Sequence, residues 1–182
     1  MSEERVRYAE TGDGPVLVHL AAGGALTAVH TLLGRRFRVV VIDTPEGGVP
    51  PSSLLAAVTT LGVERFNLLA GPAAARTALD VARAAPERVL GLVLESPPAT
   101  ADVDLAAVAA ATLVLCGTLD AETTPAARRC AVLLPNGHLV FVYAAGRTIA
   151  LDRPEAFAEV AGDFLERHEA FVINRATTLI HP

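Results

Sequence analysis

Short apolar runs alternate along this chain with alanine-rich stretches of helical length. Val6 to Ala9 alternates apolar and polar, and Thr11-Gly12-Asp13-Gly14-Pro15 follows as a dense turn signal. Val16–Leu20, Arg38–Ile42, Phe66–Leu69, Val89–Leu94, Thr112–Cys116 and Leu139–Tyr143 predict strands. Most are continuous rather than alternating, the pattern of strands covered on both faces of a parallel sheet. Between them the spacing predicts helices over Thr27–Leu33, Ser53–Leu61, Ala73–Ala85, Pro125–Leu134 and Pro154–Arg167. Pro125 and Pro154 stand in a first turn, where a missing N–H costs nothing. Strands alternating with helices predict an α/β domain, doubly wound, with a mainly parallel sheet and right-handed crossovers. No repeat or low-complexity linker divides the chain, so residues 1–165 read as one domain.

Residues 166–182 read as a C-terminal extension. It carries Phe171-Val172-Ile173-Asn174 and Thr177-Thr178-Leu179-Ile180, both rich in β-branched residues. Left in water these runs would expose an apolar patch. They are expected to dock on the chain's own body, on a sheet edge or on a second subunit, which makes a homo-oligomer an expected partner state.

Composition narrows the chemistry. With 182 residues and 52% of them hydrophobic, the chain can bury a core without disulfides or metals. Its net charge of −5 leaves no basic face for a phosphate backbone, so nucleic acid is not an expected partner. All 15 basic residues are arginine; Schiff-base chemistry and a phosphate-binding P-loop both need lysine. Cys116 and Cys130 are too few for a disulfide framework and lack metal-ligand spacing. No cofactor and no metal is expected. The N-terminus is charged from the start, and the uncharged stretch Pro15 to Gly34 contains His19, His30 and a glycine pair. The expectation is a soluble cytoplasmic protein with no membrane partner.

Three segments resemble the α/β-hydrolase family in order and spacing. Leu61-Gly62-Val63-Glu64-Arg65 leads into a strand, a tight turn and a helix closed by Ala85-Pro86-Glu87-Arg88-Val89, as around that family's nucleophile elbow. Thr112 to Asp120 resembles the strand and loop that deliver the catalytic acid. Leu134-Pro135-Asn136 to Arg147, with Leu151-Asp152-Arg153-Pro154-Glu155, resembles the histidine loop and last helix. The resemblance runs from about Arg5 to about Leu165 and implies an α/β-hydrolase-like fold. The connection from Ser96 to Ala111 is too short for a helical cap, so no cap domain is expected.

At the positions where the resemblance implies catalysis, the residues differ. The family's elbow needs Gly-x-Ser-x-Gly, whereas this chain has Ala70-Gly71-Pro72-Ala73-Ala74-Ala75. Pro72 or Ala73 takes the nucleophile position, and neither can attack a carbonyl. Proline fixes φ near −65°, so the turn is expected to be relaxed, with Pro72 as a helix start. Arg147 stands at the histidine position and cannot accept a proton at physiological pH. The oxyanion stretch reads Ala21-Ala22 and then Gly23-Gly24, leaving the Gly23 N–H as a backbone donor. Asp120 alone keeps the residue type of the acid position.

The neighbouring loops of the family fold imply that Asp120 and Arg147 face each other. A bidentate pair is expected, either structural or offering Arg147 to a small anionic ligand. Ser96 and Cys116 also lie at strand ends. The blander reading makes Ser96 a turn cap before Pro97-Pro98 and Cys116 a small core residue. The five histidines show no metal-ligand spacing. Three function classes remain: a catalytically inactive hydrolase-like protein acting by binding or association, an unorthodox cofactor-free lyase, isomerase or cyclase, and a weak hydrolase.

Overall fold

The computed structural model describes residues 7–45, 48–99, 102–171 and 179–180. Its strands are β1 (Tyr8–Thr11), β2 (Val16–Ala21), β3 (Arg38–Asp43), β4 (Phe66–Ala70), β5 (Val89–Glu95), β6 (Ala111–Gly117), β7 (Gly137–Val142) and β8 (Leu179–Ile180). The helices are α1 (Ala28–Leu33), α2 (Pro51–Thr60), α3 (Ala75–Ala84), α4 (Thr124–Leu133), α5 (Ile149–Asp152) and α6 (Pro154–Arg167). They flank one eight-stranded sheet in the order β1-β3-β2-β4-β5-β6-β7-β8. β1 runs antiparallel to β3, and all other pairings are parallel.

The continuous apolar runs follow from helices covering both faces. In β2, Val18 and Leu20 join a core with Leu54 and Val58 of α2, Leu79 of α3 and Cys130 of α4. Leu17 points the other way, into a core with Val29 and Leu33 of α1, Ile149 of α5 and Phe157 and Phe164 of α6. Neither face meets water, so the period-two alternation vanishes from the sequence.

Several boundaries differ from the sequence expectation. The first strand continues through Thr11, which pairs with Val39, and Gly12 makes the turn at a φ of 78°. Val6 lies outside the described residues. Pro72 opens a single 3-10 turn, Pro72–Ala74, before α3 begins at Ala75. β7 starts at Gly137, opposite Thr112, so His138 lies inside the strand rather than before it. α5, one turn long, is additional to the expected helices.

Between β5 and β6, residues 96–110 carry a single 3-10 turn, Leu105–Ala107, among the described residues. Phe171 of the extension packs edge-on against Phe164 at 5.4 Å and His138 at 5.8 Å. β8 adds to the outer edge of β7 through Phe141 and Leu179 and through Val142 and Ile180. The rest of the two β-branched runs, residues 172–178, lies outside the described residues.

Candidate functional site at the strand ends

Open α/β sheets place their sites at the C-terminal ends of the strands. At the end of β4, Gly71 has a φ of −69° and a ψ of 175°, and Pro72 begins the 3-10 turn. Positive φ among described non-glycine residues occurs at Ser96, Ala144 and His168, none of them in this turn. Pro72 is half-buried, Ala73 is exposed and Ala74 is buried. The turn holds no nucleophile and stores no left-handed strain.

The expected Asp120–Arg147 pair does not form. Asp120 is 7% exposed and accepts the Thr123 N–H at 3.2 Å and the Thr123 hydroxyl. Thr124 donates its hydroxyl to the Asp120 carbonyl at 2.7 Å. Burial pushes the Asp120 carboxyl up, but the Thr123 hydroxyl and N–H, the nearby Ser96 hydroxyl and the Arg147 charge together hold it below the usual range. Thr123 reaches Asp120 within one turn of chain, so its donors fill the carboxylate without ordering a long side chain. Arg147 turns outward, 46% exposed, toward Glu122 at 3.7 Å. It acts on Asp120 through space, not through a hydrogen bond.

The oxyanion donor is also engaged. The Gly23 N–H donates to the Asp43 carboxylate at 2.9 Å, so a negative charge already occupies that place. The Ala21 carbonyl accepts the Thr44 N–H at 3.2 Å and the Gly24 N–H at 3.4 Å, and Ala22 is exposed. Gly24, at a φ of 57°, presses onto Asp43, leaving no room for a Cβ.

Sequence reasoning passed over Glu95. It ends β5, is 4% exposed, and accepts the Ala150 N–H at 2.7 Å. Burial pushes its carboxyl up to about 7, against the pull of the Ala150 and Ile149 N–H groups, and Asp152 adds to the rise. Its second oxygen would sit 3.6 Å from a Cβ on Gly71, beside the nucleophile position. The available signal was an acidic residue closing the otherwise apolar run Val89–Leu94.

Next to it, Ser96 adopts a φ of 40° and is wholly buried. Its N–H donates to the Leu115 carbonyl at 2.8 Å, but its hydroxyl has no well-formed hydrogen bond. The expected turn cap is therefore absent. Cys116 matches its core reading: it faces the α3–α4 side, with Sγ 3.4 Å from the Thr124 hydroxyl. Burial, ahead of its other influences, raises the thiol.

Among the described histidines, His19 and His30 form a pair. His19 Nδ1 lies 2.7 Å from His30 Nε2, under α1. The Thr27 N–H donates to His30 Nδ1 at 2.8 Å, which fixes the proton on His30 Nε2 and makes His19 Nδ1 its acceptor. Burial, with His30 beside it, pushes His19 down to about 3, and burial lowers His30 too. His168 Nε2 lies 2.8 Å from Asn67 Oδ1 at the far end of α6. Among the described residues no group of three or more acidic, cysteine or histidine side chains can hold a metal, and no helix is long and apolar enough to cross a membrane.

This architecture is the α/β-hydrolase fold. It is similar to an α/β-hydrolase enzyme from a lagoon-sediment metagenome, with a TM-score of 0.79 and 20% identity over 92% of this chain and 98% of that one. A hydrolase from Pseudomonas aeruginosa PA01 gives 0.75 and 18% over 88% and 94%. A thermophilic esterase from Thermogutta terrifontis gives 0.73 and 15% over 88% and 93%. No family model and no curated protein matches the sequence.

Proposed function

We propose that this chain is a catalytically inactive α/β-hydrolase-fold protein that acts by binding at its strand ends or by association. The carrying observation is the relaxed Gly71-Pro72-Ala73 turn, which offers no nucleophile. The occupied Gly23 N–H and the outward Arg147 support the same reading. Its structural neighbours include a hydrolase and an esterase, and acyl transfer needs an attacking group, a base and an oxyanion donor. A small anionic ligand would meet the Arg147 guanidinium. The nearby Asp120 and Glu122 restrict it to one that carries its charge at one end. Association between copies would use the outer edge of β1, which ends the sheet.

The test is an ester and thioester panel run beside a fluorophosphonate probe and a thiol-directed probe. The reading requires no labelling and no turnover above the buffer rate. Turnover lost in Asp120→Ala would overturn it. One observation favours a second reading, a cofactor-free proton-transfer enzyme: Glu95 titrates near neutrality beside Gly71.

A further inference from the structure

We propose that segment 147–152, which carries Arg147 and α5, is a proton-controlled flap over the strand ends, latched by protonated Glu95 and loosened when Glu95 ionises. This concerns regulation of the locus assigned above to binding and rests on that assignment.

The segment has two differently held halves. Before it, Ala144 to Gly146 is tied to the loop after β6: the Ala144 N–H donates to the Thr118 hydroxyl at 3.0 Å, and the Leu119 N–H to the Ala145 carbonyl at 2.9 Å. Gly117 lies so close under the Ala145 and Gly146 carbonyls that no Cβ would fit. That half is a fixed base. The flap folds back on its own ends, with Asp152 accepting the Gly146 N–H at 2.8 Å and Arg153 donating to the Tyr143 carbonyl at 2.9 Å. Its polar ties to the sheet run from the Ala150 N–H, at 2.7 Å, and from the Ile149 N–H to Glu95. Ile149 and Ala150 are both buried in the core beside α1 and α6, and Leu151 points to solvent.

A neutral carboxyl keeps that bond through its carbonyl oxygen at little desolvation cost. An ionised one bonds more strongly but gives up hydration, and opening the flap returns it. The groups around Glu95 add no compensating charge. α5 contributes Asp152, a like charge; the β4–α3 turn contributes Gly71; β6 sets Leu115 beside it in register; the face of α6 packed on the sheet is Ala156, Phe157 and Val160. His30 on α1 is committed to His19, and Arg147 turns outward toward Glu122. The raised pKa of Glu95 fits this balance, with burial as its main cause.

Amide hydrogen exchange on the full chain tests the flap directly, because it reads opening without any ligand. After correction for intrinsic exchange, protection at Ala150 should fall by about tenfold or more from pH 5 to pH 8. Protection at Ala161 in α6 should stay constant, and Glu95→Gln should abolish the pH dependence at Ala150. Constant protection at Ala150 in the wild type, or the same loss in Glu95→Gln, overturns the proposal. Should Glu95→Gln fail to fold, the wild-type Glu95 carboxyl and Ala150 amide shifts must share one titration midpoint; separate midpoints overturn it. Failure of the binding reading would leave these results unchanged.

Discussion

Replacing Glu95 with glutamine separates two pH dependences that overlap in the wild-type protein. Glu95 titrates at about 7 when folded, against an ordinary value of 4.5. The folded chain thus holds the proton more tightly than the unfolded one. Stability from this group is complete below pH 4.5 and is lost as pH rises through 7. At about 1.4 kcal/mol per pH unit, the loss comes to about 3 kcal/mol. His19 and His30 work in the opposite direction. Both are held below 6.5 by burial, so stability is lost as pH falls below that value. A pH profile of the wild type alone therefore shows two opposed slopes and identifies neither.

Glutamine preserves the oxygen that accepts the Ala150 N–H and removes the ionisation. Its extra amide donor, left without a partner, costs about 1–3 kcal/mol at every pH. The informative quantity is therefore the change with pH in the difference between variant and wild type, from which the histidines cancel. Urea denaturation at pH 4.5, 6, 7 and 8 should show that difference moving by about 3 kcal/mol in favour of glutamine. In melting temperature that is about 6–12 °C for a chain of this size. A difference flat to within about 0.5 kcal/mol across the series would refute the assignment of a buried, near-neutral carboxyl at Glu95.

Arg147→Ala should change stability by less than about 1 kcal/mol in urea denaturation, since its ion pair with Glu122 is long and exposed. A larger loss would mean that Arg147 engages Asp120 after all. Gly117→Ala should cost more than about 3 kcal/mol or prevent folding, because its Cβ would strike the Ala145 and Gly146 carbonyls. A circular-dichroism melt within a few degrees of wild type would contradict that packing. His30→Leu should destabilise by about 2 kcal/mol near pH 7, by stranding the Thr27 N–H and the His19 acceptor nitrogen. It should also weaken the acid-side loss of stability in a denaturation series.

Fold and site were legible to different depths, for a physical reason. The strands β2 to β6 announce themselves because burial on both faces leaves nearly continuous apolar runs, with His19 and Asn67 as buried polar exceptions. α5 does not: a single turn has no helical period, and Ile149 is buried by contacts distant in sequence. The absent nucleophile and base needed only the identities of Pro72, Ala73 and Arg147. The Asp120 partner was misjudged because topology places loops within reach of each other, whereas local hydrogen bonding decides which donor arrives. Thr123, three residues away, outcompetes an arginine that would lose rotamer freedom to make the same contact. The His19–His30 bond and the carboxylate on Gly23 join positions 11 and 20 residues apart, which no local spacing rule connects.

Restoring side chains therefore should not restore chemistry. Pro72→Ser with Arg147→His returns a hydroxyl and an imidazole to the positions that the hydrolase resemblance assigns to them. The serine would still sit in a turn without left-handed strain, at a helix start shaped by proline. The Gly23 N–H would still point at Asp43, so the developing oxyanion would meet a carboxylate in place of a donor. One missing oxyanion donor costs about 10²–10³ in rate, and a misplaced like charge adds to that. The double variant should hydrolyse p-nitrophenyl acetate no faster than the wild type. Adding Asp43→Ala frees the Gly23 N–H, and any activity should first appear in that triple variant. Turnover in the double variant matching the triple would show that the Gly23–Asp43 bond does not obstruct the site.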